Sequence, residues 1–299
     1  VLRADASSTE PFESSDEVKT RRFIYVKDAR DVRIWGPGAI NGNGRRLRER
    51  FGDKARMRLV LAVNSADLRI EDVMLQDPGS WNTQILKCRD VVIRNVKLMN
   101  DPDLSNTDGF DPDASRNVLI EDCFAYCSDD NVAVKTTNNL GLNRDLRNVV
   151  VRGCVFLTRK SSLKVGTETK AARMSDIRFE NNDVVECDRA LALYCNDGAL
   201  FEKIVFANNR IERNYPDSQR RGIHFKISER AGKGRIRDVE IRNCHFRTAF
   251  PRPDEVAGLD AEHSIDGLTL RNVTVGDKRL RSLDDWKPRL RFTENIRFK

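Results

Sequence analysis

Val118-Leu119-Ile120-Glu121-Asp122-Cys123 and, one unit later, Val149-Val150-Val151-Arg152-Gly153-Cys154 are two copies of one pattern. An apolar residue is followed by any residue and a second apolar one. Asn, Asp or Gly then stands four positions after the first. The pattern begins at Val32, Leu68, Val91, Val118, Val149, Ile177, Ile204, Val239, Leu268 and Ile296, so the units are 23 to 36 residues long. Its apolar residues alternate with period two, which reads as strand. The fourth-position residues are Gly36, Asp72, Asn95, Asp122, Gly153, Asn181, Asn208, Asn243 and Asn272. These are the residue types that tolerate the left-handed αL conformation, so a sharp bend recurs at one phase. Short strands, tight corners and this period describe an all-β fold, a single-stranded parallel β-helix. The general preference for right-handed crossovers makes it right-handed. Leucine-rich repeats need shorter units and propeller blades longer ones.

The next position holds Cys123, Cys154 and Cys244, with Val73, Val96 and Val273 at the same phase elsewhere. Cysteine sharing a column with valine reads as an inward-facing core thiol. Seven cysteines without a C-x-x-C pair indicate neither a disulfide framework nor a zinc site, and three histidines argue against a His-rich metal centre. Asn272-Val273-Thr274 matches a glycosylation sequon but uses a corner Asn. No run of 18 apolar residues is present, so no membrane span is expected. The net charge of +7 favours a polyanion, and acidic polysaccharide and nucleic acid both qualify on charge alone.

Taken in order, residues 1–22 are polar and read as a lead-in or N-terminal cap, and residues 23–299 as the β-helix domain. The start, Val1-Leu2-Arg3-Ala4, does not read as a signal peptide. The Gly-rich run Pro37 to Gly44 reads as turns, because no helix of a βαβ unit follows it in phase. Arg45 to Arg58 is a basic insertion with weak helical character, expected as a solvated loop. Residues 214–221 form a longer excursion. Leu283 to Arg291 is expected to leave the solenoid before a last strand at Glu294 to Lys299.

The repeat permits a column alignment. Asn131-Val132-Ala133-Val134-Lys135 aligns with Ser162-Leu163-Lys164-Val165-Gly166. Ala190-Leu191-Ala192-Leu193-Tyr194 and Gly222-Ile223-His224-Phe225-Lys226 follow. Alternation sends the apolar columns inward and Ala133, Lys164, Ala192 and His224 outward, with Lys135, Gly166, Tyr194 and Lys226 beside them. Asp129 and Asp130 open one of these strands, and Asp108 stands near the equivalent place one coil earlier. Coils stack about 4.8 Å apart, so three carboxylates crowd together and raise one another's proton affinity. An acid beside a base on a groove is the equipment of glycoside hydrolysis. Calcium binding, a structural turn and a solvated edge remain open on spacing alone.

At these residues the chain resembles the polygalacturonase family, glycoside hydrolase family 28. Gly38-Ala39-Ile40-Asn41-Gly42-Asn43-Gly44 is similar to its G-x-I-D-G-x-G turn, and Ser80-Trp81-Asn82-Thr83 to its P-x-W stretch. Asn106-Thr107-Asp108-Gly109 matches N-T-D-G, and Ser128-Asp129-Asp130 matches G/S-D-D. The resemblance implies that Asp129 is the general acid, that Asp108 and Asp130 activate water, and that Asn106 orients groups around Asp108. It implies inversion, with carboxylates roughly 6.5–9.5 Å apart, and Lys226 as the lysine of an R-I-K motif that binds a substrate carboxylate. The family's G-H-G falls at Lys160-Ser161-Ser162, so Ser161 replaces its histidine, and His224 stands in place of its arginine with Arg221 close by. No tyrosine follows Tyr215 to match a late active-site tyrosine. Lys164 is expected in a subsite, with Glu168 as a loop residue.

The expectation is an inverting hydrolase of a pectin-like or other uronate-bearing polysaccharide, with no cofactor or metal and no nucleic-acid partner. The resemblance also implies an extracellular or periplasmic setting. The alternatives are a hydrolase of a neutral glycan on the same fold and a non-catalytic carbohydrate-binding β-helix.

Overall fold

The computed structural model describes residues 1–5, 21–137, 144–215 and 220–299. Most of the polar lead-in and the tip of the excursion lie outside the described residues. Among the described residues the chain winds into three sheets of 11, 10 and 11 strands as a right-handed β-helix, with every pairing parallel except that of Lys278–Arg279 on Thr274–Val275. The pattern's first apolar residues stack as expected: Val32 on Leu68, Leu68 on Val91, Val91 on Val118 and Val118 on Val149. The column continues through Ile177, Ile204, Val239 and Leu268. All nine fourth-position residues have positive φ, from 49° at Asn272 to 116° at Gly36.

A second bend, absent from the sequence reading, lies immediately before each first apolar residue. Asp31, Asp67, Asp90, Asn117, Asn148, Asp176, Lys203, Asp238, Gly267 and Asn295 all have φ between 52° and 76°. Nothing in the structure explains Lys203 among the Asp, Asn and Gly of this column. The side chains at both bends bond along the helix axis. Asn95 Nδ2 donates to Asp72 at 2.7 Å, and Asn272 Nδ2 to Asn243 at 3.1 Å. Asn148 Nδ2 donates to Asn117 at 2.9 Å in the second column.

The apolar columns close into one continuous core from Ile40 to Trp286. Cys123, Cys154 and Cys244 lie in it, buried and free, as their column predicted. In the same column Asn182 and Asn209 are fully buried and cap backbone between coils. Asn182 Oδ1 accepts from Cys154 N at 3.1 Å, and its Nδ2 donates to Val151 O at 3.1 Å.

Three expectations need correction. Residues 44–55 form a helix, Gly44–Phe51, and a 3-10 turn, Gly52–Ala55, not a solvated loop. Leu47, at 0% exposure, supplies the apolar anchor and packs with Ala55 and Met57. Gly44 starts this helix because a Cβ there would lie 2.2 Å from Pro78 O. The segment after residue 282 turns through a short helix, Leu283–Trp286. Strand Arg289–Arg291 then rejoins the solenoid against Glu255–Ala257. Glu168 sits within strand Ser161–Thr169. The lead-in also contributes, since Leu2–Arg3 pairs with Ile40 and Asn41.

Replacing Asn182 by Leu keeps its volume but leaves Cys154 N and Val151 O without partners in a dry interior. Urea unfolding of Asn182→Leu is expected to show a loss of about 2–4 kcal/mol. An unchanged midpoint and slope would show that the buried amides contribute nothing.

Candidate active site

The 10-stranded sheet carries the candidate residues. Its register matches the column alignment: Val132 on Leu163, Ala133 on Lys164, Lys164 on Ala192, Ala192 on His224 and Tyr194 on Lys226. The outward face is sunk beneath its surroundings, with Ala133 and Ala192 at 0% exposure and Lys135 at 3%.

Asp108 and Asp130 open strands of adjacent coils, locked by Gly109 N donating to Asp130 O at 2.8 Å. Gly109 is required here, because a Cβ would lie 2.4 Å from Asn131 O. Asn106 takes φ 59° in the turn that leads to Asp108. The neighbouring bonds come from Asn100, whose Nδ2 donates to Thr107 O at 2.8 Å, and from Thr107 Oγ1 against Ser128 Oγ at 2.8 Å. One carboxylate oxygen from each of Asp108, Asp129 and Asp130 lies within 4.8 Å of the others. That is closer than the expected 6.5–9.5 Å, because parallel pairing sets Asp108 directly beside Asp130. Such a grouping has the shape of a cation site, but two lysine ammoniums already supply the counter-charge.

Those lysines divide the carboxylates. Asp130 Oδ1 accepts from Ser161 N at 2.9 Å, and Oδ2 pairs with Lys164 Nζ at 2.5 Å. Burial pushes the Asp130 carboxyl up, but the Lys164 charge and hydrogen bond outweigh it and hold it below its ordinary range. Asp129 is half-buried, and burial followed by the Asp130 charge raises it above that range. Burial raises Asp108 well above the range against the pull of Lys135, with Asp111, Asp129 and Asp130 adding repulsion. The site therefore holds one carboxylate kept ionised and two whose proton affinities are raised to different extents.

Lys135, which the alignment placed in an outward column without assigning it a role, is the second ammonium. Its Nζ lies 3.2 Å from Asp108 Oδ2 and 2.9 Å from Asp111 Oδ1, over the Trp81 ring at 3.5 Å from the centroid. Asp111 faces outward one coil earlier and aligns with Gln84. Asp111 lies one coil before Asn131–Lys135, the first of the aligned strands, and shares the outward column of Ala133.

The other expected residues lie further along the sheet. Ser161 and Lys164 occupy the coil next to Asp130 and meet it. Arg221, His224 and Lys226 stand two coils beyond Ser161, roughly 14 Å along the axis from Asp130 by strand spacing. They share the face but are not neighbours of the carboxylates. Arg221 pairs with Glu255 at 2.8 Å. His224 Nδ1 bonds Tyr194 OH at 2.7 Å, and burial, followed by Arg221 and Arg189, pushes the imidazole down to about 3, so it is neutral. Lys226 is exposed. The coil between holds Arg189 and Tyr194. Arg189 aligns with Ser161, and its Nε donates to Ser161 Oγ at 3.0 Å while its Nη2 pairs with Asp188 at 3.1 Å. The small serine thus leaves room for an arginine from the next coil, a signal visible one column before the aligned strands.

The model of glycosyl hydrolases family 28 matches residues 5–216 of the chain. A probable polygalacturonase of Arabidopsis thaliana is 32% identical over 276 residues, covering 79% of this chain and 58% of its own length. A probable polygalacturonase of Vitis vinifera is 30% identical over 168 residues, covering 53% of this chain and 34% of its own. The chain thus spans between a third and three-fifths of these relatives. Among solved structures, an exopolygalacturonase from Thermotoga maritima superposes with TM-score 0.69 at 18% identity, over 86% of this chain and 72% of that one. A polygalacturonase from Erwinia carotovora gives 0.63 at 15%, over 93% and 70%. These two likenesses concern the fold. The family match spans well over half of the 299 residues and includes both aspartate motifs, so the chain belongs to glycosyl hydrolase family 28.

Proposed function

We propose that the protein is an inverting glycoside hydrolase acting on a pectin-like, uronate-bearing polysaccharide. The observation that carries this reading is the trio of carboxylates within 4.8 Å, divided in ionisation by two buried lysines. Asp129, half-buried and biased toward its protonated form, donates its proton to the glycosidic oxygen as the bond to the anomeric carbon breaks. Asp108 and Asp130 hold a water and accept its proton as it attacks. A water with two hydrogen bonds of about 2.8 Å at a tetrahedral angle bridges oxygens about 4.6 Å apart, a span inside the 4.8 Å limit on the trio's oxygens. Inversion rests on this bridging water and on the family resemblance, and not on a wide carboxyl separation.

The cations Lys164, Arg189, Arg221 and Lys226 run along the same face beyond the acids and support an acidic substrate. An extracellular or periplasmic setting accords with a polymeric substrate. A neutral glycan is the second reading, favoured by two observations: Arg221 is already paired with Glu255, and His224 is uncharged.

Reducing-end release from a panel of pectic and neutral polysaccharides separates these readings. Release from polygalacturonate is expected, and Asp129→Asn should lower kcat by about 10²–10⁴-fold with KM little changed. Binding without release by the wild type would sink the enzyme reading, and an ultraviolet-absorbing unsaturated product would mean elimination. Proton NMR of the first product formed should show the anomer opposite to that of the cleaved bond, whereas a retained anomer would point to a covalent intermediate. The pH profile of kcat should be a bell. Its acidic limb marks protonation of Asp108, the raised member of the water-activating pair, and should itself lie above the ordinary carboxylate range. Its alkaline limb marks ionisation of Asp129 and should lie above the ordinary carboxylate range, because Asp129 is raised. In Asp129→Asn the alkaline limb should disappear.

A further inference from the structure

Asp108 is 4% exposed, and a carboxylate so deeply buried is driven toward its neutral form. A base must be ionised. The groups that face Asp108 are named by the packing around it. From its own coil come Asp111 and, further along the strand, Asp113. From the next coil come Asp129, Asp130 and Lys135. From the coils before it come neutral Gln84, whose Nε2 donates to Asp113, and Arg58, which lies over the Trp81 ring at 4.3 Å. Lys164 is committed to Asp130, and Glu168 reaches Lys135 only at 3.9 Å. Lys135 is therefore the cation in direct contact with Asp108.

Three contacts fix its ammonium: Asp108 Oδ2, Asp111 Oδ1 and the face of Trp81. The other oxygen of Asp108, Oδ1, is buried without a hydrogen-bond partner. One oxygen of the base is thus held by the lysine, and the other makes no hydrogen bond within the protein.

We propose that Lys135, anchored by Asp111 and Trp81, is a positioning residue whose ammonium opposes the burial and like-charge repulsion that favour the neutral form of Asp108, and which fixes that carboxylate by one oxygen for its work as the base. Burial lowers the lysine's own proton affinity, but Asp111, Asp108 and Glu168 outweigh burial, so the ammonium stays charged wherever the carboxylates are ionised. Asp111 has two effects. It fixes the ammonium, and its charge repels that of Asp108. This inference rests on the reading of Asp108 as the base.

Two substitutions in contact with the same ammonium should therefore move Asp108 in opposite directions. Carbon-13 NMR of labelled aspartate carboxyls follows the titration without substrate, with Asp108→Asn assigning the signal. Lys135→Met should raise the Asp108 midpoint by about one to three pH units. Asp111→Asn should lower it by a smaller amount. Lys135→Arg keeps the charge and should leave the midpoint near wild type while lowering kcat through altered geometry. The acidic limb of the kcat profile on polygalacturonate should follow the NMR midpoints. An unmoved midpoint in Lys135→Met, or a raised one in Asp111→Asn, overturns the proposal. If Lys135→Met does not fold, the direction of the shift in Asp111→Asn decides. Failure of the hydrolase reading would look different, since the NMR shifts would persist while the wild type released no reducing ends from any polysaccharide.

Discussion

Backbone hydrogen bonding between parallel strands at a spacing of about 4.8 Å governs this molecule. Each coil must place its strands in register on the coil before it, so side chains at one phase form straight columns along the axis. Like residues then meet like phases. Apolar columns merge into one core, Asn and Asp corners bond their equivalents, and charges alternate. On the outer face of the sheet that carries the repeat, Glu71, Arg94, Glu121 and Arg152 stack in one column. Arg94 reaches Glu121 at 2.6 Å and Glu71 at 3.4 Å, and Arg152 reaches Glu121 at 2.6 Å. The arginines are exposed although Glu121 is buried, and surface pairs of this kind contribute about 0–1 kcal/mol each.

The same constraint creates the candidate active site. Aspartates at equivalent phases of neighbouring coils cannot avoid one another, and in a shallow sheet face they would be solvated and ordinary. Here the face is sunk, so mutual repulsion and burial both act on their proton affinities. Lys164 and Lys135 resolve the conflict differently. Lys164 binds Asp130 tightly enough to keep it ionised, whereas Lys135 is shared between Asp108 and Asp111. Asp129 is half-buried and has no direct lysine contact of that kind among the described residues, which suits it to the proton-donor role proposed for it. A difference in partner among three identical side chains thus yields different proton affinities.

The strand columns and their corners were legible because both are local. Period-two alternation reports strand, and a residue type that tolerates positive φ reports a bend. The second bend escaped because the search began at the apolar residue, one position after Asp31 and its equivalents. The helix Gly44–Phe51 was underrated because its apolar anchor is one residue, Leu47, among arginines. The strand Arg289–Arg291 follows a short helix and carries no apolar alternation, so its pairing with Glu255–Ala257 is set by the coil beneath it. Within the site, Asp108, Asp129 and Asp130 were legible from the repeat together with the motifs. Arg189 lies one column before the aligned strands, and Asp111 lies one coil before them.

The sequence by itself determined the fold, its register, the family and the three aspartates. Each of these depends on residue type at a phase, and phase can be counted along a chain. Only the tertiary structure decided which side chains on the shared face touch. Arg221, His224 and Lys226 fall in the right columns, yet they stand three coils from Asp130. Lys135 reaches back along the face to Asp108, beneath Trp81. Counting phases gives direction from the sheet but not reach, burial or partner. Those depend on how far a flexible side chain bends and on what covers it, and ionisation follows from both.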